Sequence, residues 1–322
     1  MKTSRRGMLH LLRVSAVVCC FLAPLVTSAL AVTPSCEAFP PSELTKQKFG
    51  VDVAGPVCGL VRSANNSDLV IVALGIDEAA LTGIVVRQDL FKKIKKNPHA
   101  LTNARAGVVH GSLSHYVLDQ CAIKLAGQKL VHENFVFRHI EMVAPFQRHA
   151  IDLISGFGPE VFDFVRPKAP QMLCSGITLE EMLPQWILAS RSEVTSQPNV
   201  VARRVAESLG QQSWQRKHPK EYIELIRKLY ADAGTAISDE QLLWVNNGSR
   251  SVRLDDQLKP FLRDTRTHDA AVDATLTKMH DFAWQTKQVS DSLDVRALTD
   301  SSVLELIDRT PELRAIATQY DE

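Results

Sequence analysis

The chain has 322 residues, 45% of them hydrophobic, and 37 Lys and Arg against 36 Asp and Glu give a formal net charge of +1. So even a balance excludes a protein that holds nucleic acid or a membrane surface by bulk charge. The length suits one two-lobed α/β domain or two domains of ordinary size.

The N-terminus reads as an export signal. Lys2, Arg5, Arg6 and Arg13 form a basic start, residues 14–26 are apolar, and Ala29-Leu30-Ala31 is a small-x-small cleavage site. Residues 1–31 are therefore expected to be a signal peptide, with a mature chain of 291 residues starting at Val32. A twin-arginine signal (SRRGML, residues 4–9) and an ordinary secretory signal both fit. The apolar run is shorter than the ~20 residues that span a bilayer, and no later run is apolar enough to do so. The mature protein is expected in the periplasm, with 33 basic and 36 acidic side chains.

Strand and helix signals then alternate to about residue 190. Residues 51–54 form a short strand, and Pro56 opens a helix to 65–66. The run LVIVAL at 69–74 is short enough for a buried strand. Residues 83–87 form another, and the basic run 92–96 is a solvated connector. Next come a strand at 107–109, a helix from Ser112, and a strand through 135–137. Pro145 starts a helix ending at Gly156, 161–165 (VFDFV) is a strand, and Pro167 begins a short helix closed by Gly176. WILA at 186–189 is the last clear strand. Beyond Pro198 the pattern is helical: 200–209, 222–230 and 271–285 carry apolar residues at helical spacing. Pro219 and Ser238 mark helix starts, the latter with Gln241 in a capping box.

Cys19 and Cys20 leave with the signal, so Cys36, Cys58, Cys121 and Cys174 remain, without CxxC or metal-ligand spacing. A Cys36–Cys58 bridge stays open. Cys121 and Cys174, in apolar helical contexts, are expected as small core residues. The four tryptophans (Trp186, Trp214, Trp244, Trp284) are likewise expected in the core.

The stretch 107–116, GVVHGSLSHY, carries the most chemistry. Gly111 breaks a strand and Ser112 can cap the helix that follows. Free backbone N–H groups at the positive end of a helix dipole suit a small anion. No Walker or dinucleotide-binding glycine pattern is present, and there is no G-x-S-x-G elbow, so neither a cofactor nor an enzyme is expected.

The order VDVAGPVCGLV (51–61), LVIVALGID (69–77), TGIVVRQDL (82–90), GVVHGSLSHYVL (107–118), IDLISGFGPEVFDFVRP (151–167) and WILASRSEVTSQPNVVARRV (186–205) resembles the periplasmic substrate-binding proteins of nitrate, sulfonate and taurine ABC importers. Trp214, His218, Pro219 and Glu221 fit a helix pair of that family. The resemblance covers residues 50–317. It implies an α/β fold of the two-lobed periplasmic binding protein type II, with a helical C-terminal region. The family's first β-α-β unit has no room in the twenty or so residues before Val51, so the first lobe is expected to be incomplete. The implied organisation is a partial lobe 1 at 32–105, lobe 2 at 106–195, and a helical region at 196–322 returning to lobe 1.

The resemblance also implies a monomer that binds a small anionic solute between its lobes and works with an ABC permease. It implies no nucleic acid, cofactor or metal. Candidate ligand residues are Gly55 and Pro56 from lobe 1, Ser112, Ser114 and His115 at the second-lobe helix, and Arg166 at a strand end, where a guanidinium suits a bidentate anion. The alternative is a shortened paralogue acting as a periplasmic sensor or interaction protein with altered or lost binding.

Overall fold

The computed structural model describes residues 51–136, 139–158, 171–232, 236–266 and 269–321. The first half runs β1 (Asp52–Ala54), α1 (Pro56–Asn65), β2 (Leu69–Asp77), β3 (Thr82–Val86), α2 (Gln88–Lys96), β4 (Arg105–Val109), α3 (Leu113–Ala126), β5 (His132–Val136), α4 (Val143–Gln147) and β6 (Leu153–Phe157). It continues through β7 (Gln171–Ser175), α5 (Gly176–Leu179), β8 (Pro184–Ser190), α6 (Arg191–Ser196), α7 (Pro198–Lys217), α8 (Pro219–Asp232) and α9 (Asp239–Gly248). The last elements are β9 (Arg250–Ser251), α10 (Leu254–Phe261), α11 (Ala271–Gln285), α12 (Ser302–Arg309) and α13 (Pro311–Thr318).

The strands form two sheets, ordered β1-β8-β2-β9 and β5-β4-β6-β3-β7. Every strand pair of the first is antiparallel. In the second, β4 runs parallel to β5 and β6, while β3 is antiparallel to β6 and β7. The chain leaves the first sheet between Asp77 and Thr82 and returns between Ser175 and Pro184. Thus β3, before residue 105, pairs in the second sheet, and β8, before residue 195, pairs in the first. The two crossings are tied together. The Glu78 N–H donates to the Leu183 carbonyl (2.9 Å), and the Leu183 N–H donates to Asp77 Oδ1 (2.9 Å).

Local chemistry explains the elements that matter for the site. β2 is apolar without alternation because both its faces are covered, so Val70 to Leu74 are all buried. Pro56 at the first helical position sets the start of α1. α1 lies on the indole of Trp186, which is fully buried and donates from Nε1 to the Pro56 carbonyl (2.6 Å). Gly59 permits that approach, since a Cβ there would stand 2.4 Å from Trp186 Cδ1. The C-terminal region reaches back to β2. The Gln257 carboxamide, itself buried, accepts from the Leu74 N–H (2.8 Å) and donates to the Leu74 carbonyl (2.7 Å), so a side chain stands in for a neighbouring strand. The Asp300 N–H donates to the Ile71 carbonyl (3.0 Å). A separate small core of Tyr222, Ile226, Tyr230, Leu242 and Val245 joins α8 to α9. The Ser238 capping box forms as its sequence suggests.

Several local expectations need correcting. Cys121 and Cys174 are core residues but form a disulfide, and Cys174 lies in β7, not a helix. The basic run 92–96 is no connector: it is the solvated face of α2, whose Leu90 and Ile94 turn inward. The helix from Pro145 stops at Gln147, and residues up to Gly156 enter β6. Gly176 opens α5 and closes nothing. Trp284 is largely exposed, unlike Trp186. The signal segment, Cys36, the strand expected at 161–165 and Pro167 lie outside the described residues. Cys58 is itself disulfide-bonded. No helix among the described residues is long and apolar enough to cross a membrane.

Candidate functional site

The turn from β4 into α3 has the geometry its sequence suggests. Gly111 takes φ +69°, which glycine adopts without strain, and Ser112 is the N-cap. The Ser112 hydroxyl accepts from the His115 N–H (3.3 Å) and donates to the Val109 carbonyl (2.6 Å), with Ser114 Oγ at 3.0 Å. Its single proton is therefore spent inside the turn. The Ser114 carbonyl accepts from Ser155 Oγ (2.6 Å). His115 is buried, and its Nδ1 accepts from the Gly111 N–H (3.1 Å). The neutral ring must then carry its proton on Nε2, which faces Glu133 Oε2 at 3.5 Å. Phe282 of α11 meets the ring edge-on with centroids 5.0 Å apart. Gln288 donates from Nε2 to the Gly111 carbonyl (3.1 Å). What this turn offers a ligand is the helix terminus more than its side chains.

Gly55 and Pro56 form a second helix N-terminus, at α1. Gly55 supplies no side-chain cap, and the first turn has no acidic residue. Beside it is Glu78, from the first crossing, 4% exposed. Glu78 Oε1 accepts from Gln185 Nε2 (2.7 Å), and Oε2 would lie 3.7 Å from a Cβ on Gly55. Burial, reinforced by the neighbouring Asp77 charge, pushes the Glu78 carboxyl up to about 8 against the pull of the Gln185 hydrogen bond. The two termini are tied to opposite ends of α1. Gly55 caps its start, whereas Asn65 at its end donates to the carbonyl of Gln288, the residue that holds Gly111. Arg166 lies outside the described residues.

His115, Asp119 and Glu133 also offer ligand atoms within 4.8 Å of one another. Their chemistry does not fit a metal. The Nε2 that faces the carboxylates carries the proton, and the Lys129 ammonium already stands 2.5 Å from Asp119 Oδ2. Burial raises the Asp119 pKa while Lys129 and His115 oppose that rise. The group is an ion network that joins the first half of α3, through His115 and Asp119, to Glu133 of β5 and to Lys129, and Lys129 extends it to Gln285 of α11 (2.7 Å). A second network joins Tyr116, Glu181 and Lys278. The Tyr116 hydroxyl donates to Glu181 Oε2 (2.8 Å) and Lys278 Nζ lies 2.6 Å from Glu181 Oε1. Burial and the Glu181 charge raise the Tyr116 pKa.

Sequence reasoning missed Glu78, Gln185, Glu133 and Glu181. An acidic residue after an apolar strand reads as a solvated turn; only the meeting of the two crossings buries Glu78.

Two sheets exchanging chain through paired crossings, with helices on both, define the two-lobed periplasmic-binding-protein fold. The aliphatic sulphonate binding protein SsuA from Escherichia coli shares it with a TM-score of 0.59 at 17% identity, over 81% of this chain and 79% of that one. The alkanesulfonate-binding protein SsuA from Xanthomonas axonopodis pv. citri, bound to MOPS, gives 0.54 at 14% identity over 82% and 84%. DSZB, a desulfurization enzyme seen with biphenyl-2-sulfinic acid, gives 0.53 at 11% identity over 82% and 88%. No protein-family model matches the chain. No curated protein sequence matches it. The fold of this chain is thus that of ABC-importer solute-binding proteins, and the same fold also carries an enzyme.

Proposed function

We propose that this protein is the exported solute-binding component of an ABC importer and takes a small anion: nitrate, an alkanesulfonate, taurine or a similar solute. The observation that carries the reading is the fold shared with sulfonate-binding proteins, built here from two sheets joined by paired crossings. Helix N-termini at Gly55 and Ser112 support the anionic class, because each offers peptide N–H groups and about half a positive charge. The basic, apolar and small-residue pattern of residues 1–31 supports export, and a permease in the inner membrane is the partner. Binding, not turnover, is the activity proposed, since the residues of the Ser112 turn are engaged in holding the turn itself.

Calorimetry on the mature protein with nitrate, methanesulfonate, ethanesulfonate, taurine and acetate tests this. Saturable binding of one of them is expected. Titrations without heat or saturation for the whole set would overturn the import reading in favour of a sensor or interaction protein.

A further inference from the structure

We infer that this chain crosses the inner membrane unfolded, by the general secretory route, and that Cys121 and Cys174 are joined by a periplasmic disulfide donor before α3 closes on its sheet. The inference rests on the export reading above and goes beyond it by choosing between the two signals that fit residues 4–9.

The place of the bond carries the argument. Cys121 of α3 and Cys174 of β7 are joined, with 0% and 1% of their surfaces exposed. Cys174 pairs with Ile84 of β3 across the second sheet, and Val117, Leu118 and Ala122 of α3 are buried along with Cys121. The two sulfurs therefore meet beneath the helix, inside the main core. α3 is held down over them along its length. Gln288 holds the turn at its start, and the Tyr116 hydroxyl is bonded to Glu181. Lys129 pairs with Asp119, and the Lys124 ammonium donates to the Thr178 carbonyl (2.7 Å).

Forming that bond needs access to the sulfurs. The thiolate of one cysteine attacks the donor's disulfide and is captured as a mixed disulfide, which releases one donor thiolate. The thiolate of the second cysteine then attacks the first cysteine's sulfur, closes Cys121–Cys174 and releases the other donor thiolate. Two electrons pass to the donor, and the two protons the cysteines lose balance those that turn it into a dithiol. In the folded chain a donor reaches neither sulfur, and apolar surroundings keep a thiol protonated and inert. The cytosol keeps thiols reduced, so the bond is made after export. A twin-arginine translocon passes chains that are already folded. A chain sent that way would arrive with two thiols sealed under α3. The secretory translocon passes unfolded chains, whose cysteines meet the donor first. Arg5 and Arg6 are then simply part of the basic start of an ordinary signal.

Export of the full chain from a bacterial host is the first test. A variant with Arg5→Lys and Arg6→Lys should be exported as well as wild type, and blocking the secretory translocon should stop both. In a host lacking its periplasmic disulfide donor, thiol alkylation with peptide mapping should show loss of the linked Cys121–Cys174 peptide. Export that stops with the two lysines overturns the inference, as does the bond already present in the cytosolic precursor. A linked peptide undiminished in the donor-deficient host overturns it too. A wild-type chain that keeps Met1 and stays in the cytosol instead removes the export reading, and the inference falls with it. The second test uses the mature protein, reduced in denaturant and refolded, with folding followed by circular dichroism. Oxidised glutathione is added either as refolding begins or after it is complete. The bond should form in the first case, and Cys121 and Cys174 should stay free thiols in the second. Equal oxidation in both overturns the inference. A reduced chain that does not fold at all leaves no folded form for the twin-arginine route to carry, and so supports it.

Discussion

Single residues at the crossings and at α1 carry consequences that equilibrium unfolding can measure. Glu78 ordinarily titrates near 4.5 and is held up to about 8 in the fold. Between those values the folded chain retains a proton that the unfolded chain releases, so its contribution to stability is full at low pH and declines as pH rises through that window. Glu78→Gln removes the titration. The Tm of the variant relative to wild type should therefore climb steadily from pH 5 to pH 8; a constant difference would contradict the buried, protonated acid. Gly59 makes the opposite case, in which space decides. Alanine would gain about 1 kcal/mol in helix propensity. Its Cβ would also meet Trp186 Cδ1 at 2.4 Å, and the indole cannot retreat without losing its hydrogen bond to Pro56. Overpacking of this kind costs about 1–3 kcal/mol. Gly59→Ala is expected to be destabilising by denaturant titration, with the packing term winning.

Among the elements, α3 is the most heavily fastened. Its start is capped by Ser112 and held by Gln288, its first turn carries the Tyr116–Glu181–Lys278 chain, and its middle is bonded to β7 through Cys121–Cys174. The disulfide closes a loop with a sequence separation of 53, which in the chain-entropy account stabilises by about 4 kcal/mol. Replacing both cysteines by serine should lower unfolding stability by roughly 2–4 kcal/mol, and mild reductant should leave the native bond intact because both residues are buried. Loss of less than about 1 kcal/mol would mean that the unfolded chain is already constrained there. His115 belongs to the same fastening. With its ring buried between Gly111, Glu133 and Phe282, its first duty is to the turn.

Across the whole molecule, the first and second sheets depend on each other through two passages of chain and through the C-terminal helices that return to β2. A ligand bound to the native state raises its stability by RT ln(1 + [L]/Kd), about 2.7 kcal/mol at a hundred times Kd. Thermal unfolding with the anion panel should show this rise for the anion that calorimetry identifies and no rise for the others. N-terminal sequencing of the exported protein should begin at Val32; a start at Met1 would remove the export reading.

The sequence by itself determined what is local. Pro56, Pro219, Ser112 and the Ser238–Gln241 pair start their helices where backbone chemistry requires, and Gly111 turns where only a positive φ fits. The continuous apolar run of β2 showed a strand covered on both faces, and the order of motifs from 51 to 205 was enough to indicate the fold class. Only tertiary structure decided what depends on distant partners. Lys92 to Lys96 looked like a connector until Leu90 and Ile94 found a core to face. Cys121 and Cys174 gave no pairing signal because strand β7 and helix α3 meet only in three dimensions. Glu78 stayed invisible for the same reason: a carboxyl becomes a buried acid only when another passage of the chain, carrying Leu183 and Gln185, closes over it.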